Sequence, residues 1–216
     1  MNTWPLYKVL MASFWSYILI ALIHARFFYN DIFCTAFFFA GYYILGAIYT
    51  NLFEYFWHRV AMHIGIPRLG VIKLSHLDHH RIFHGKDFRS RYGPYLEHIS
   101  GVWYSFPILL SLHYLVALLI LDHSAVLPFL MGSTNHYQMY ETIHWYTHVD
   151  NNNFDKVIFH VPILRSIRKW EIKNHGEHHE KPDGRFNVTY PLGDWIAALV
   201  KWIISKYKRM MGLRSR

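Results

Sequence analysis

Ten histidines stand in four short boxes: His58-Arg-Val-Ala-Met-His63, His76-Leu-Asp-His79-His80, His144-Trp-Tyr-Thr-His148 and His175-Gly-Glu-His178-His179. Imidazole is both a common metal ligand and a tunable proton carrier, so the clustering points first to metal chemistry. On a helix, residues i and i+4 stand about 40° apart on one face, so His144 and His148 can grip one ion. In each His-x-x-His-His box the i and i+3 residues share a face. The adjacent fifth residue points about 100° away, toward a second ion or the other side of the same site. His58 and His63 are about 140° apart around a regular α-helix. They converge only if the helix unwinds or ends there, which Gly65 and Pro67 just beyond permit.

Ten imidazoles exceed what one ion can hold: zinc takes four ligands and octahedral metals six, so two ions are the economical reading. Neutral imidazole suits Zn, Cu, Fe and Ni, and spacing does not choose among them. Each ligand needs an acceptor for its other ring nitrogen. Glu54, Asp78, Glu141, Glu177 and Asp194 lie close enough in sequence to serve. His24, His98, His113, His123 and His160 stand alone and read as core or surface residues, while His84 and His136 stay unassigned. Cys34 is the single cysteine and sits in an apolar run, which excludes a disulfide framework and a thiolate site.

The elements that must position these boxes are apolar. Hydrophobic residues make up 53% of the chain and charged residues only 17%, against about 25% in typical soluble domains. Four stretches, residues 9–28, 32–57, 101–121 and 124–147, each reach or approach the roughly 20 residues a helix needs to cross a bilayer. Short connectors, Tyr29 to Asp31 and Asp122 to His123, join them into two helical hairpins. Of 22 Lys and Arg, seven fall between His58 and Ser100 and thirteen between His148 and Arg216. Two crossings separate those segments, so they share one face, cytoplasmic by the positive-inside rule, and both termini join it. The expected fold is therefore an all-α membrane protein of about four transmembrane helices. Residues 58–100 and 148–216 form a cytoplasmic helical cap holding a dinuclear metal site. Asp194 to Met211 alternates apolar groups with Lys201, Lys206, Lys208 and Arg209, the pattern of an interfacial helix on an anionic leaflet. The net charge of +8 is not read as nucleic-acid binding, because the cations flank apolar segments.

With the boxes in hand, the sequence resembles the fatty acid hydroxylase / sterol desaturase superfamily of integral-membrane di-metal oxygenases. The resemblance rests on Glu54-Tyr55…His58-Arg59…His63, His76…His79-His80, Tyr140-Glu141…His144…His148 and His175…His178-His179. The closing Phe186-Asn187-Val188-Thr189…Pro191-Leu192-Gly193-Asp194-Trp195 extends it, with Asn187 where the family usually has glycine. It spans Leu52 to Trp195. The resemblance implies two iron ions held by the ten boxed histidines, with zinc able to occupy the site in purified protein. It further implies O2-dependent hydroxylation or desaturation of an acyl chain, sphingolipid or sterol-like lipid. The chain has no haem-type His-Pro-Gly-Gly segment, so electrons are expected from a separate donor of cytochrome b5, ferredoxin or reductase type. The setting would be a bacterial inner membrane or the endoplasmic reticulum. Phe53, Trp57, Trp145 and Tyr146 are candidates to line a lipid channel, and Arg81, Lys86, Arg89 and Arg91 to hold an anionic headgroup or an acidic carrier. The alternative is a membrane metal-binding or transport protein without catalysis, although transport requires polar ligands near mid-bilayer. A zinc protease is disfavoured because no His-Glu-x-x-His occurs.

Overall fold

The computed structural model describes residues 3–28, 35–90, 96 and 98–211; Cys34, Arg91 and the connector Tyr29 to Asp31 lie outside them. Among the described residues the chain is helical throughout, with no strand and a single isolated bridge between Ser90 and Val149. Eight α-helices follow in order: α1 (Trp4–Phe27), α2 (Ala36–Trp57), α3 (Gly70–Ile82), α4 (Ser105–Ile120), α5 (His123–His148), α6 (Asn153–Ile158), α7 (Pro162–Glu180) and α8 (Leu192–Met210). Starts are encoded locally. Proline opens α1 and α7, Thr35 accepts the Phe38 amide at α2, and Asn152 accepts the Asp155 amide at α6.

Two helices are long and apolar enough to cross a membrane: α1, and α2 with its continuation to Ile64. The other two expected crossings differ from that description. The 16 residues of α4 rise only about 24 Å, shorter than a bilayer core. The 26 residues of α5 are long enough, but the helix carries Glu141 and three histidines besides His148. It tolerates them because α1, α2 and α4 pack around it, and fifteen of its residues are buried.

The α2–α5 contact is the closest in the bundle. A side chain on Gly46 would strike the Phe129 carbonyl, and one on Gly132 the Tyr43 carbonyl. Small residues let two helix backbones approach in this way. Phe106, Leu110, Val126, Phe129 and Leu130 fill the core between α4 and α5, capped by Val9 and Ile20 of α1. A second cluster, with Leu6, Phe83, Leu96, Trp145 and Val149, lies where the bundle meets the α3 and α7 region. A buried ion network ties α7 to this base: Arg168 reaches Asp155 at 2.7 Å and Glu171 at 3.1 Å, and Arg89 reaches Asp155 at 2.6 Å. α8 stands off almost fully exposed, anchored where Gly193 abuts the Tyr55 side chain.

Candidate metal centre

All ten boxed histidines converge. They form two groups of five, in each of which the ligand atoms lie within 4.8 Å of one another: His58, His63, His76, His80 and His178, and His79, His144, His148, His175 and His179. Three structural devices bring this about.

The first is a π-helical turn over His58–Ile64 at the end of α2, closed by the Gly65 amide on the Val60 carbonyl at 2.7 Å. With i→i+5 hydrogen bonding, five residues make a little over one turn, so His58 and His63 share a face. The expected unwinding is thus a widening, and Gly65 at φ 94° ends it. The second device corrects the expected pairing within the His-x-x-His-His boxes. The i, i+4 residues belong together, His76 with His80 and His175 with His179, while the middle histidines cross over. His79 of α3 joins the group built from α5 and α7, and His178 of α7 joins the group built from the π-turn and α3. The reason is angular: the fifth residue lies about 40° from the first on one side and the fourth about 60° on the other. The boxes therefore straddle the boundary between the two groups, where His80 and His179 stack at 4.1 Å.

The third device is backbone. Nδ1 of His58, His79, His148, His178 and His179 donates to the carbonyls of Phe186, His98, Phe88, Gly184 and Phe83, at 2.5 to 2.9 Å. A carbonyl only accepts, so each of these rings carries its proton on Nδ1 and turns a bare Nε2 lone pair inward. These carbonyls, rather than side-chain carboxylates, orient the rings. Asp78 and Glu177 point away on the outer faces of α3 and α7, paired with Arg81 and with Lys173 and Arg185. Glu141 is buried and takes the Gly101 amide. Glu54 and Asp194 act one step removed. Asp194 accepts the Phe186 and Asn187 amides, and Glu54 accepts the Val188 amide at 2.5 Å and the Thr189 hydroxyl at 2.9 Å. Together they clamp the loop whose Phe186 carbonyl holds His58. Backbone acceptors leave no trace in residue types; only the phenylalanines that pack on the rings, Phe83, Phe88 and Phe186, mark the spot.

The arrangement within each group has a recognisable shape. In the first, His63 lies 4.7 to 5.1 Å, ring centre to ring centre, from each of the other four. Those four form a square with sides of 4.6 to 4.8 Å. Across one diagonal His76 and His178 are 6.5 Å apart. In the second, His148 takes the apical place at 4.7 to 4.9 Å from four rings. The square is His79, His144, His175 and His179, with sides of 4.6 to 4.9 Å. Each group is a square pyramid, an octahedron with one corner free. The short Nε2–Nε2 distances, 3.0 to 3.1 Å, all fall on its edges. Perpendicular ligands about 2.1 Å from an ion are about 3.0 Å apart, whereas tetrahedral ones would be about 3.4 Å apart.

The donor set fits a cation. Nε2 of both His79 and His144 is buried without a hydrogen-bond partner. Metal ligation requires neutral imidazole. Burial, reinforced by neighbouring imidazoles, holds His76, His79, His175 and His179 well below the usual histidine range and His80 at about 2. Burial also leads at His178, partly offset by the Gly184 carbonyl, and leaves it at about 4.

The remaining histidines stay outside both groups. His24 meets Tyr114 and the His123 carbonyl, His113 bridges Tyr49 and Tyr137, and His84, His98 and His160 are exposed. His136 is buried against Glu54 at 2.8 Å, bracing the same clamp. Beside the first group lies an apolar slot of about 70 Å³ between α2, α4 and α5, lined by His58, Phe53, Trp57, Phe106 and Tyr140 among others. Phe53 and Trp57 thus border the site as expected. Trp145 and Tyr146 do not: Trp145 fills the second core cluster and Tyr146 stacks on Phe154. Arg89 is held in the buried Asp155 network, whereas Arg81 is exposed and pairs with the exposed Asp78.

Compared with known proteins, the chain matches no family model, no curated protein and no solved structure.

Proposed function

We propose that this protein is a membrane-embedded lipid oxidoreductase of the fatty acid hydroxylase / sterol desaturase type, with two iron ions in the paired histidine pyramids. The observation that supports it is the free corner on each pyramid. A structural or storage site closes its coordination, whereas a catalytic one keeps a position open for a reactant. Five neutral imidazoles in square-pyramidal array favour iron over tetrahedral zinc. Iron bound there would supply the O2 activation and oxidising power needed to attack a lipid C–H bond.

The chain's own residues do the rest. Backbone carbonyls fix the ring tautomers, and the π-turn and the two crossed boxes fix the ring directions. Phe53, Trp57, Phe106 and Leu109 give the slot an apolar wall that receives a hydrocarbon segment and excludes water. Position along that segment decides which hydrogen is lost, and so whether an alcohol or an alkene results. In this reading α1, α2, α4 and α5 make the four crossings, both termini face the cytoplasm, and α8 lies on the inner leaflet. A separate electron donor docks on the basic cap.

The alternative, a metal-binding or transporting protein without turnover, is favoured by no particular observation. Purified full-length protein loaded with Fe(II) and given reductant and lipid extract tests the proposal. About two irons per chain and O2 uptake that requires lipid are expected. Two tightly held irons with no O2 uptake, together with an unchanged lipid profile in a deletion strain, would sink it.

A further inference from the structure

A second cleft, larger than the slot at the histidines, lies apart from it. It measures about 680 Å³ and lies across α5 from that slot, walled by α1, α5, α6 and α7. Gln138, Met139, Thr142 and Ile143 face it, while His136, Tyr137, Tyr140 and Glu141 face the slot, so α5 separates the two. Its volume lies within the roughly 300–1,000 Å³ of small-molecule sites. Met11 and Phe14 of α1, a candidate membrane span, supply one wall, and the half-exposed Leu164 and Ile167 of α7 the opposite lip.

The lining is mostly apolar, and its only charged residues, Arg168 and Glu171, form the floor. Arg168 is only 1% exposed and Glu171 only 8%, and the two pair at 3.1 Å. Nη2 of Arg168 is buried with no hydrogen-bond partner. Directly behind, Arg89 and Asp155 complete a network of two cations and two anions. Such a floor has no net charge to offer an ionic headgroup, and a desolvated ion placed there would go unpaired. It does offer one spare donor beside a carboxylate acceptor, which suits a group that both accepts and donates.

We propose that this cleft binds a single long hydrocarbon chain ending in a neutral hydrogen-bonding group, an alcohol or amide, drawn from the bilayer beside α1. The site is distinct from the histidine centre and does not depend on the metals being present. Carboxylate and phosphate amphiphiles bind there weakly, because Asp155 and Glu171 already neutralise Arg89 and Arg168.

The test uses purified full-length protein in nanodiscs of zwitterionic lipid. The probe is hexadecanol carrying a diazirine and an alkyne, and crosslinked peptides are mapped by mass spectrometry. Labelling is expected on Met139–Ile143 and on Leu164–Ile167, competed by unlabelled hexadecanol. Competition by hexadecanoate at pH 8 is expected to be at least tenfold weaker. Leu164→Trp combined with Ile167→Trp, which fills the lip, is expected to lower labelling about tenfold while histidine-bound metal is retained. If that variant fails to fold, Phe14→Trp fills the opposite wall with the same expected loss. Labelling unchanged in the folded variants, labelling confined to the slot around Trp57 and Phe106, or equal competition by hexadecanoate would each overturn the proposal.

Discussion

Glu54 offers a sharp test of how the histidine groups are held. It lies in α2 one turn before His58, yet touches no metal-directed ring. Its carboxylate receives the Val188 amide at 2.5 Å, the Thr189 hydroxyl at 2.9 Å and His136 at 2.8 Å, all buried. In Glu54→Ala these three donors lose their acceptor, at about 1–3 kcal/mol each, or about 3–9 kcal/mol in all. That threatens the fold. Glu54→Gln is the better probe: one oxygen remains, the amide NH2 faces the Val188 and Thr189 amides that met Oε1, and the cost is about 1–3 kcal/mol. The loop then relaxes, and the Phe186 carbonyl loosens its 2.5 Å hold on His58. Loss of such an outer support lowers metal affinity by about 10–100-fold. Only the group containing His58 feels it, because the other group is oriented by Phe83, Phe88 and His98. Competition against a chelator of known affinity, followed by metal analysis, should show one ion lost early and one held as in the unaltered protein. Two ions released with unaltered affinity would refute the argument, as would equal weakening of both in a folded protein.

Three further outcomes follow from the same geometry. His178→Ala should weaken the group containing His58, and His175→Ala the other, although both residues share one box on α7; identical effects on both ions would contradict the crossed pairing. In metal-free protein the depressed histidines bind fewer protons folded than unfolded below pH 6.5, so stability should fall as pH drops from 6.5 toward 4. For His178, which burial holds at about 4, this corresponds to about 3 kcal/mol, readable as a falling Tm over that window. Gly132→Ala forces a methyl group against the Tyr43 carbonyl, and α2 and α5 must part; a loss of about 1–3 kcal/mol in thermal stability is expected, and an unchanged Tm would contradict the contact.

The sequence by itself determined which side chains meet and roughly where. Histidine spacing is local chemistry written directly in residue type, and runs of apolar residues report helices in the same way. Thus the clustering of all ten boxed histidines was legible, as were the two long apolar helices α1 and α2 and the amphipathic α8. Tertiary structure decided the rest. Which histidine joins which group depends on how α3 and α7 rotate against each other, and that sends His79 and His178 across the boundary. The π-turn at His58 depends on the whole α2 terminus rather than on Gly65 alone. The acceptors that aim the rings are main-chain carbonyls, identical in every residue, so only the folded path of the chain selects Phe83, Phe88, His98, Gly184 and Phe186. For the same reason the carboxylates nearest in sequence mislead: Asp78 and Glu177 sit beside boxed histidines along the chain but on the opposite side of the helix.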